Sequence, residues 1–95
     1  MEVILAGEEI RSVRDVHAAL ATALDFGPFY GWNMAALWDR LSTDVARPVC
    51  VRWKRADLSK ERLGPEFDRL VRLFDDVSQQ DASAGLVERF TYSLE

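Results

Sequence analysis

The sequence predicts an α/β fold in which a three-stranded parallel sheet packs with about four helices. Three short apolar runs, at residues 3–6, 49–53 and 90–94, have the length and composition of strands. Two segments of helical periodicity lie between each pair of runs, and connections of that length favour parallel strands joined by right-handed crossovers. The predicted element order is therefore β-α-α-β-α-α-β, within a single domain that spans residues 1–95.

The N-terminal quarter predicts the first strand and the first helix. Residues 3–6 form a continuous apolar run ended by Gly7, which indicates a strand buried on both faces. Ser12, with Asp15 three residues later, is a weak capping box, and it predicts a helix over about 13–25. Apolar spacing gives that helix an inward stripe: Val13, Val16, His17, Leu20 and Leu24.

The second helix follows a loop that is rich in aromatic residues. Asn33 offers a side-chain oxygen as the N-cap, and residues 42–44 mark the end of the helix and the start of a short loop. Spacing of i, i+3, i+4 and i+7 defines an inward face: Met34, Leu37, Trp38 and Leu41. Ala35 and Asp39, four residues apart, share another face and are predicted to point outward. A carboxylate on a rigid helix beside exposed aromatic side chains suits docking better than catalysis.

The second half of the chain predicts strand, helix, helix and strand. Pro48 starts the second strand, at a position where no ladder donor is needed, and residues 56–63 form a short helix whose clearest apolar contact is Leu58. Pro65 suits the first position of the last helix, and residues 78–85 are small and polar, which predicts a loop. The inward stripe of this helix is Phe67, Leu70, Val71, Phe74 and Val77. Alternation in residues 90–94 indicates a half-exposed terminal strand.

Composition limits the classes of function. The formal net charge of −4 favours basic partners over nucleic acid, and no apolar run approaches the roughly 20 residues of a membrane span. The single cysteine, Cys50, fits a reducing compartment, and no export signal precedes the first strand, so we expect a cytoplasmic protein. The sequence has no glycine-rich phosphate loop, CxxC pair or metal-ligand cluster. We therefore expect no catalytic residues, no cofactor and no metal.

Residues 29–41 read aromatic-Tyr-Gly-x-Asn-x-x-Ala-Leu-Trp-Asp-x-Leu, which resembles the core motif of the barstar-type ribonuclease inhibitors. The resemblance extends back through residues 7–12 to Asp15 and His17, and forward through residues 48–53 and 59–60 to the helix around Phe74. It implies a barstar-like fold and a protein that is a monomer when free. It also implies an intracellular inhibitor that plugs the active site of a basic, guanyl-preferring secreted ribonuclease of the barnase type, using an acidic helix and the loop before it.

The resemblance also implies a partner-binding surface, with Asp39 at the position of the acid that mimics a phosphate. The remaining positions carried over from the motif are Phe29, Tyr30, Gly31, Asn33, Ala35, Ala36, Trp38, Asp44 and Asp76. Four of them depart from the family pattern. Phe29 replaces a tyrosine, Ala35 an aspartate and Asp44 a tryptophan, whereas Asp76 stands where the family has a glutamate.

Other interpretations remain open at this point. Asp39 could pair with Arg40 or Thr43, Trp38 could belong to the core, and Asp76 could form an ion pair with Arg72 four residues earlier. The fold could also serve as an immunity or binding module for a partner that is not a ribonuclease. A small enzyme using His17 or Cys50 is a third class, although a packed or capping histidine and a small buried cysteine are the more ordinary roles.

Overall fold

The computed structural model describes the whole chain, Met1–Glu95, and confirms the predicted α/β architecture and element order. Three strands and four helices follow one another in the expected sequence: β1 Glu2–Ala6, α1 Val13–Leu24, α2 Met34–Asp39, β2 Val49–Lys54, α3 Ala56–Leu63, α4 Pro65–Ser83 and β3 Phe90–Leu94. A short 3₁₀ turn, Gly7–Glu9, follows β1, and a π-helical turn, Arg40–Asp44, continues α2.

The three strands form one parallel sheet in the order β1-β2-β3, with Val3 opposite Val51 and Val51 opposite Tyr92. One face of the sheet is buried under the helices through alternate residues: Val3, Leu5, Val49, Val51, Trp53 and Phe90. The other face is open. Ile4 is 46% exposed and Cys50 is half-buried on that face, so the predictions that β1 is buried on both faces and that Cys50 is a buried hydrophobe are wrong.

The core lies between the buried sheet face and the helices. Trp53 is its central aromatic residue, with ring centroids 5.0 Å from Phe67 and 6.1 Å from Phe74, and its indole Nε1 donates a hydrogen bond to Ser59 Oγ at 2.9 Å. Because the indole N–H is satisfied inside the core, the full ring area can be buried without an orphaned donor. In α3 the buried residues are Ala56, Ser59 and Leu63, whereas Leu58, its predicted main contact, is only half-buried.

The cap of α1 is formed as predicted. One carboxylate oxygen of Asp15, Oδ2, accepts the backbone N–H groups of Arg11 at 2.9 Å and of Ser12 at 3.3 Å. These bonds satisfy donors that the helix itself leaves free, and the negative charge lies at the favourable end of the helix dipole. Val16, His17 and Leu20 are buried on the inward side of α1, as the spacing predicts.

Helix α4 extends to Ser83, so the predicted loop over residues 78–85 is wrong for most of its length. The reason is Asp81, which is 3% exposed and belongs to a buried polar cluster. Its carboxylate accepts two hydrogen bonds from Arg47, from Nε at 2.7 Å and Nη2 at 3.2 Å, and a third from the backbone N–H of Phe90 at 2.7 Å. This cluster joins the end of α4 to the chain before β2 and to the start of β3.

None of the helices has both the length and the apolar character that crossing a membrane requires.

Candidate partner-binding surface

Residues 27–33, here named the aromatic loop, carry one anchored ring and two rings that face solvent. Tyr30 is 5% exposed, its ring centroid is 4.8 Å from that of Phe26, and its hydroxyl lies 2.5 Å from His17 Nδ1. Phe29 is 91% exposed and Trp32 is 38% exposed. The expectation of exposed aromatic side chains therefore holds for Phe29 and is wrong for Tyr30, whose burial fixes the loop against α1.

The pair of His17 and Tyr30 is a structural contact. Burial lowers the pKa of His17, with the positive charge of Arg14 as a second cause, and burial raises the pKa of Tyr30 to about 12. Both shifts favour the neutral forms, so we assign the tyrosine O–H as donor and the imidazole Nδ1 as acceptor. The predicted packed role of His17 is confirmed.

Asn33 connects the aromatic loop to α2. Its Oδ1 accepts the backbone N–H of Ala36 at 2.8 Å, which confirms the predicted N-cap, and its Nδ2 donates to the carbonyl of Gly31 at 3.2 Å. A Cβ at Gly31 would lie 3.1 Å from the Cβ of Ala36, closer than ordinary van der Waals contact, so the loop and the helix approach tightly at this glycine. Loop and helix are thereby held as one rigid unit.

Helix α2 buries one face and leaves the other to solvent. Leu37 and Leu41 are fully buried, while Met34 and Trp38 are half-buried against the core. Only part of the Trp38 side chain therefore packs in the core, and the rest is accessible to solvent. Ala35 and Asp39 are exposed, as predicted.

The carboxylate of Asp39 has no partner in this chain. The hydroxyl of Thr43 donates to the backbone carbonyl of Asp39 and not to its side chain, and Arg40 forms its ion pair with Asp44. The alternative in which Asp39 pairs with Arg40 or Thr43 is therefore wrong. The carboxylate oxygens of Asp39 accept no hydrogen bond within this chain, and the helix holds them in a fixed place. They can therefore accept hydrogen bonds from another molecule.

Residues 42–44 do not begin a loop as predicted, because the π-helical turn carries the chain on to Asp44. The backbone N–H of Val45 donates to the carbonyl of Arg40 at 3.1 Å, which closes the turn. Asp44 is exposed, and Arg40 Nε lies 3.7 Å from its Oδ2. Much of the negative charge that Asp44 brings to this end of the surface is offset within the same turn.

A groove of about 310 Å³ runs between α2 and α4. Met34, Trp38 and Leu73 form its apolar part, and Arg72 and Asp76 lie at its polar edge. No ion pair joins Arg72 to Asp76, so the proposed intrahelical pairing is absent and Asp76 is exposed with a free carboxylate. The structure thus brings Trp38 and Asp76, far apart in sequence, to one groove beside the outer face of α2.

The structure does not bring His17 and Cys50 together. His17 points into the core from α1, and Cys50 lies on the open face of the sheet. No group of three or more histidine, cysteine, aspartate or glutamate side chains lies close enough to hold a metal ion.

Two features of the surface were not predicted from the sequence. Trp32 adopts a left-handed backbone conformation, with φ +55°, and the guanidinium carbon of Arg14 lies 4.3 Å from the centroid of its ring. Arg14 lies outside the apolar stripes and the quoted motif, and Trp32 occupies a position that the motif leaves unspecified. Only the spacing of Arg14 three residues before His17, on a helix that faces the loop, hints at the contact.

Comparison with known proteins identifies a family for this chain. A family model described as "Barstar (barnase inhibitor)" matches residues 1–93. A protein of Bacillus subtilis (strain 168) named "Putative ribonuclease inhibitor YrdF" is 28% identical over 79 residues, which cover 83% of this chain and 87% of that protein. The match to the family model spans the sheet, all four helices and the aromatic loop. This chain belongs to the barstar family.

Proposed function

We propose that the protein inhibits a secreted, guanyl-preferring ribonuclease of the barnase type by closing its active site with α2 and the aromatic loop. The observation that carries the proposal is the carboxylate of Asp39, which is exposed and has no partner in this chain. Family membership and the name of the Bacillus subtilis relative support an inhibitor of a ribonuclease over an enzyme.

The proposed mechanism is mimicry of a phosphate group. A ribonuclease holds the phosphate of RNA with cationic side chains, and a carboxylate at the same place can accept their hydrogen bonds, bidentately from arginine. Because Asp39 is unpaired in the free protein, binding breaks no ion pair of the inhibitor. Burial of Leu37 and the cap at Asn33 fix the helix beforehand, so little conformational freedom is lost on binding.

We also propose that the protein acts in the cytoplasm, as a monomer when free, and protects the producing cell from copies of the nuclease that escape export. A single half-buried cysteine suits a reducing compartment, and a formal net charge of −4 suits a basic partner.

The charges around Asp39 support a second candidate. Ala35 is neutral, and Asp44 is paired with Arg40, so the surface is less acidic than a cluster of free carboxylates would be. An immunity or binding module on the same fold, with a partner other than a ribonuclease, would suit such a surface.

Inhibition of a barnase-type ribonuclease distinguishes the two candidates. The enzyme is titrated with the wild-type protein, with Asp39→Ala and with Glu61→Ala, a control that removes an exposed acid without a partner from α3. We expect stoichiometric inhibition by the wild type and by Glu61→Ala. Asp39→Ala should bind at least ~2 kcal/mol more weakly, about 30-fold.

The same titration can contradict the proposal in two ways. If the wild type leaves every ribonuclease tested active, the partner belongs to another class. If Asp39→Ala inhibits as well as the wild type, Asp39 lies outside the interface, and the exposed ring of Phe29 becomes the first residue to test.

A further inference from the structure

We infer that Arg14, stacked on Trp32, is a recognition site for a carboxylate side chain of the partner, an aspartate or glutamate at the rim of its active site. This inference rests on the proposed function, because it assumes that the partner is the inhibited ribonuclease. The recognition surface then has mixed charge, with a free acid on α2 and a free base beside the aromatic loop.

The site is a cleft of about 360 Å³ where four elements meet: the start of α1, the aromatic loop, the first residue of α2 and the first turn of α4. Arg14, Trp32, Asn33 and Glu66 contribute its polar and aromatic lining. Met34 lines both this cleft and the groove that holds Trp38 and Asp76. The cleft therefore adjoins the surface assigned to the partner.

The guanidinium of Arg14 is held in place yet keeps its hydrogen-bond donors free. Its central carbon lies 4.3 Å from the centroid of the Trp32 ring, within the range of a cation–π contact. Arg47, Arg52 and Arg69 each form an ion pair with a carboxylate of this chain, but Arg14 forms none. A planar guanidinium stacked on a ring leaves its edge available for bidentate hydrogen bonding to a carboxylate.

The backbone of Trp32 suggests that its ring is needed at this place. A φ of +55° is unusual for a bulky aromatic residue and is tolerated at a cost when neighbouring contacts impose it. The ring lies among others, with centroids 5.7 Å from that of Tyr30 and 6.3 Å from that of His17. Glycine would adopt this conformation without strain, whereas the tryptophan supplies the ring over which the Arg14 guanidinium lies.

The charge of the cleft selects an anion. Glu66 is already paired with Arg69, and burial together with Arg14 lowers the pKa of His17, which keeps that imidazole neutral near pH 7. The unpaired charge of the cleft is therefore the cation of Arg14, which attracts a carboxylate and repels a basic side chain.

Binding to the inhibited ribonuclease is measured for Arg14→Gln, for Arg14→Lys and for Arg11→Gln as a control. Arg11 is exposed, its side chain has no partner, and its substitution changes the net charge by the same amount. Arg14→Gln should weaken binding at least about tenfold, and Arg11→Gln less than about threefold. Arg14→Lys should bind with intermediate affinity, because it keeps the charge and loses the planar fork.

A double-mutant cycle identifies the partner group. Each acidic residue at the rim of the ribonuclease active site is changed to its amide and tested against wild type and Arg14→Gln. One such change should weaken binding to the wild type and have little further effect in the Arg14→Gln background. If Arg14→Gln binds like the wild type while Asp39→Ala is impaired, the inference about Arg14 is wrong and the proposed function stands.

A second measurement does not depend on the ribonuclease. N-acetylglutamate is titrated into the ¹⁵N-labelled protein, and the signals of the Arg14 and Arg11 Nε–H groups and of the Trp32 indole N–H are followed. We expect the Arg14 and Trp32 signals to move together and saturate, with no saturable change at Arg11, and the Trp32 response to disappear in Arg14→Gln. Equal, non-saturating shifts at Arg14 and Arg11 would overturn the carboxylate site, even for a protein that inhibits no ribonuclease.

Discussion

Replacing Asp81 should destabilise the fold more than any replacement of an exposed acid. Its carboxylate is 3% exposed and accepts two hydrogen bonds from Arg47 and one from the backbone N–H of Phe90. Asp81→Ala removes three hydrogen bonds at once, leaving a largely buried guanidinium without its counter-ion, bonded only to the carbonyl of Val45, and a buried N–H without an acceptor. Removal of one partner of a buried ion pair typically costs ~3–5 kcal/mol, and we expect a loss of this size.

Urea unfolding at pH 7, followed by circular dichroism, measures the loss. Asp81→Asn should lose less than Asp81→Ala, because the amide oxygen can still accept the N–H of Phe90. Asp76→Ala is the matched control, since it removes the same side chain from the same helix at an exposed position without an ion pair, and it should stay within ~0.5 kcal/mol of the wild type. An Asp81→Ala protein as stable as Asp76→Ala would refute the assigned role of the cluster.

The same pair predicts a dependence on pH. Hydrogen bonds from Arg47 hold the pKa of Asp81 below its ordinary value, so the folded state binds this proton less readily than the unfolded state does. The contribution of the pair is therefore fully present above about pH 4, the ordinary carboxyl range, and is lost as the pH falls from there through the lower pKa of the folded state. The stability difference between wild type and Asp81→Asn should shrink over that range, and a constant difference would contradict the assignment.

Three further outcomes follow from the partner-binding surface. Leu37→Ala, on the fully buried face of α2, should lose ~2–5 kcal/mol of unfolding free energy, measured by urea titration; a loss below ~1 kcal/mol would show that this face is not packed as described. Ala35→Asp should tighten binding to a barnase-type enzyme, because it adds an exposed carboxylate one turn before Asp39, whereas weaker inhibition would indicate a nuclease adapted to the neutral residue. Stopped-flow association with the nuclease should slow as salt rises while dissociation changes less, and a salt-independent association rate would exclude electrostatic steering.

The architecture could be predicted from the sequence because its signals are local. Apolar spacing located the helices, and the caps at Asp15 and Asn33 lie within four residues of the groups that they bind. The outward orientation of Ala35 and Asp39 follows from the same periodicity.

Several of the errors concern contacts between residues that are distant in the chain. Tyr30 is buried because His17, thirteen residues earlier, offers it a hydrogen-bond partner, and α4 runs past its apolar stripe because Asp81 meets Arg47 and Phe90. The open face of β1 depends on which side of the sheet the helices cover, which a continuous apolar run does not reveal. The contact between Arg14 and Trp32 likewise requires the loop to fold back on α1.

The proposed mechanism places α2 and the aromatic loop in the active site of the ribonuclease, with Asp39 at the position of the phosphate. Competition tests it most directly: the association of the protein with the enzyme is measured at increasing concentrations of guanosine 3′-monophosphate, with guanosine as a control that lacks the phosphate. With this geometry the nucleotide and the protein exclude each other, so that the apparent affinity falls in proportion to nucleotide occupancy. A ternary complex that forms with undiminished affinity on nucleotide-saturated enzyme would contradict the proposed mechanism.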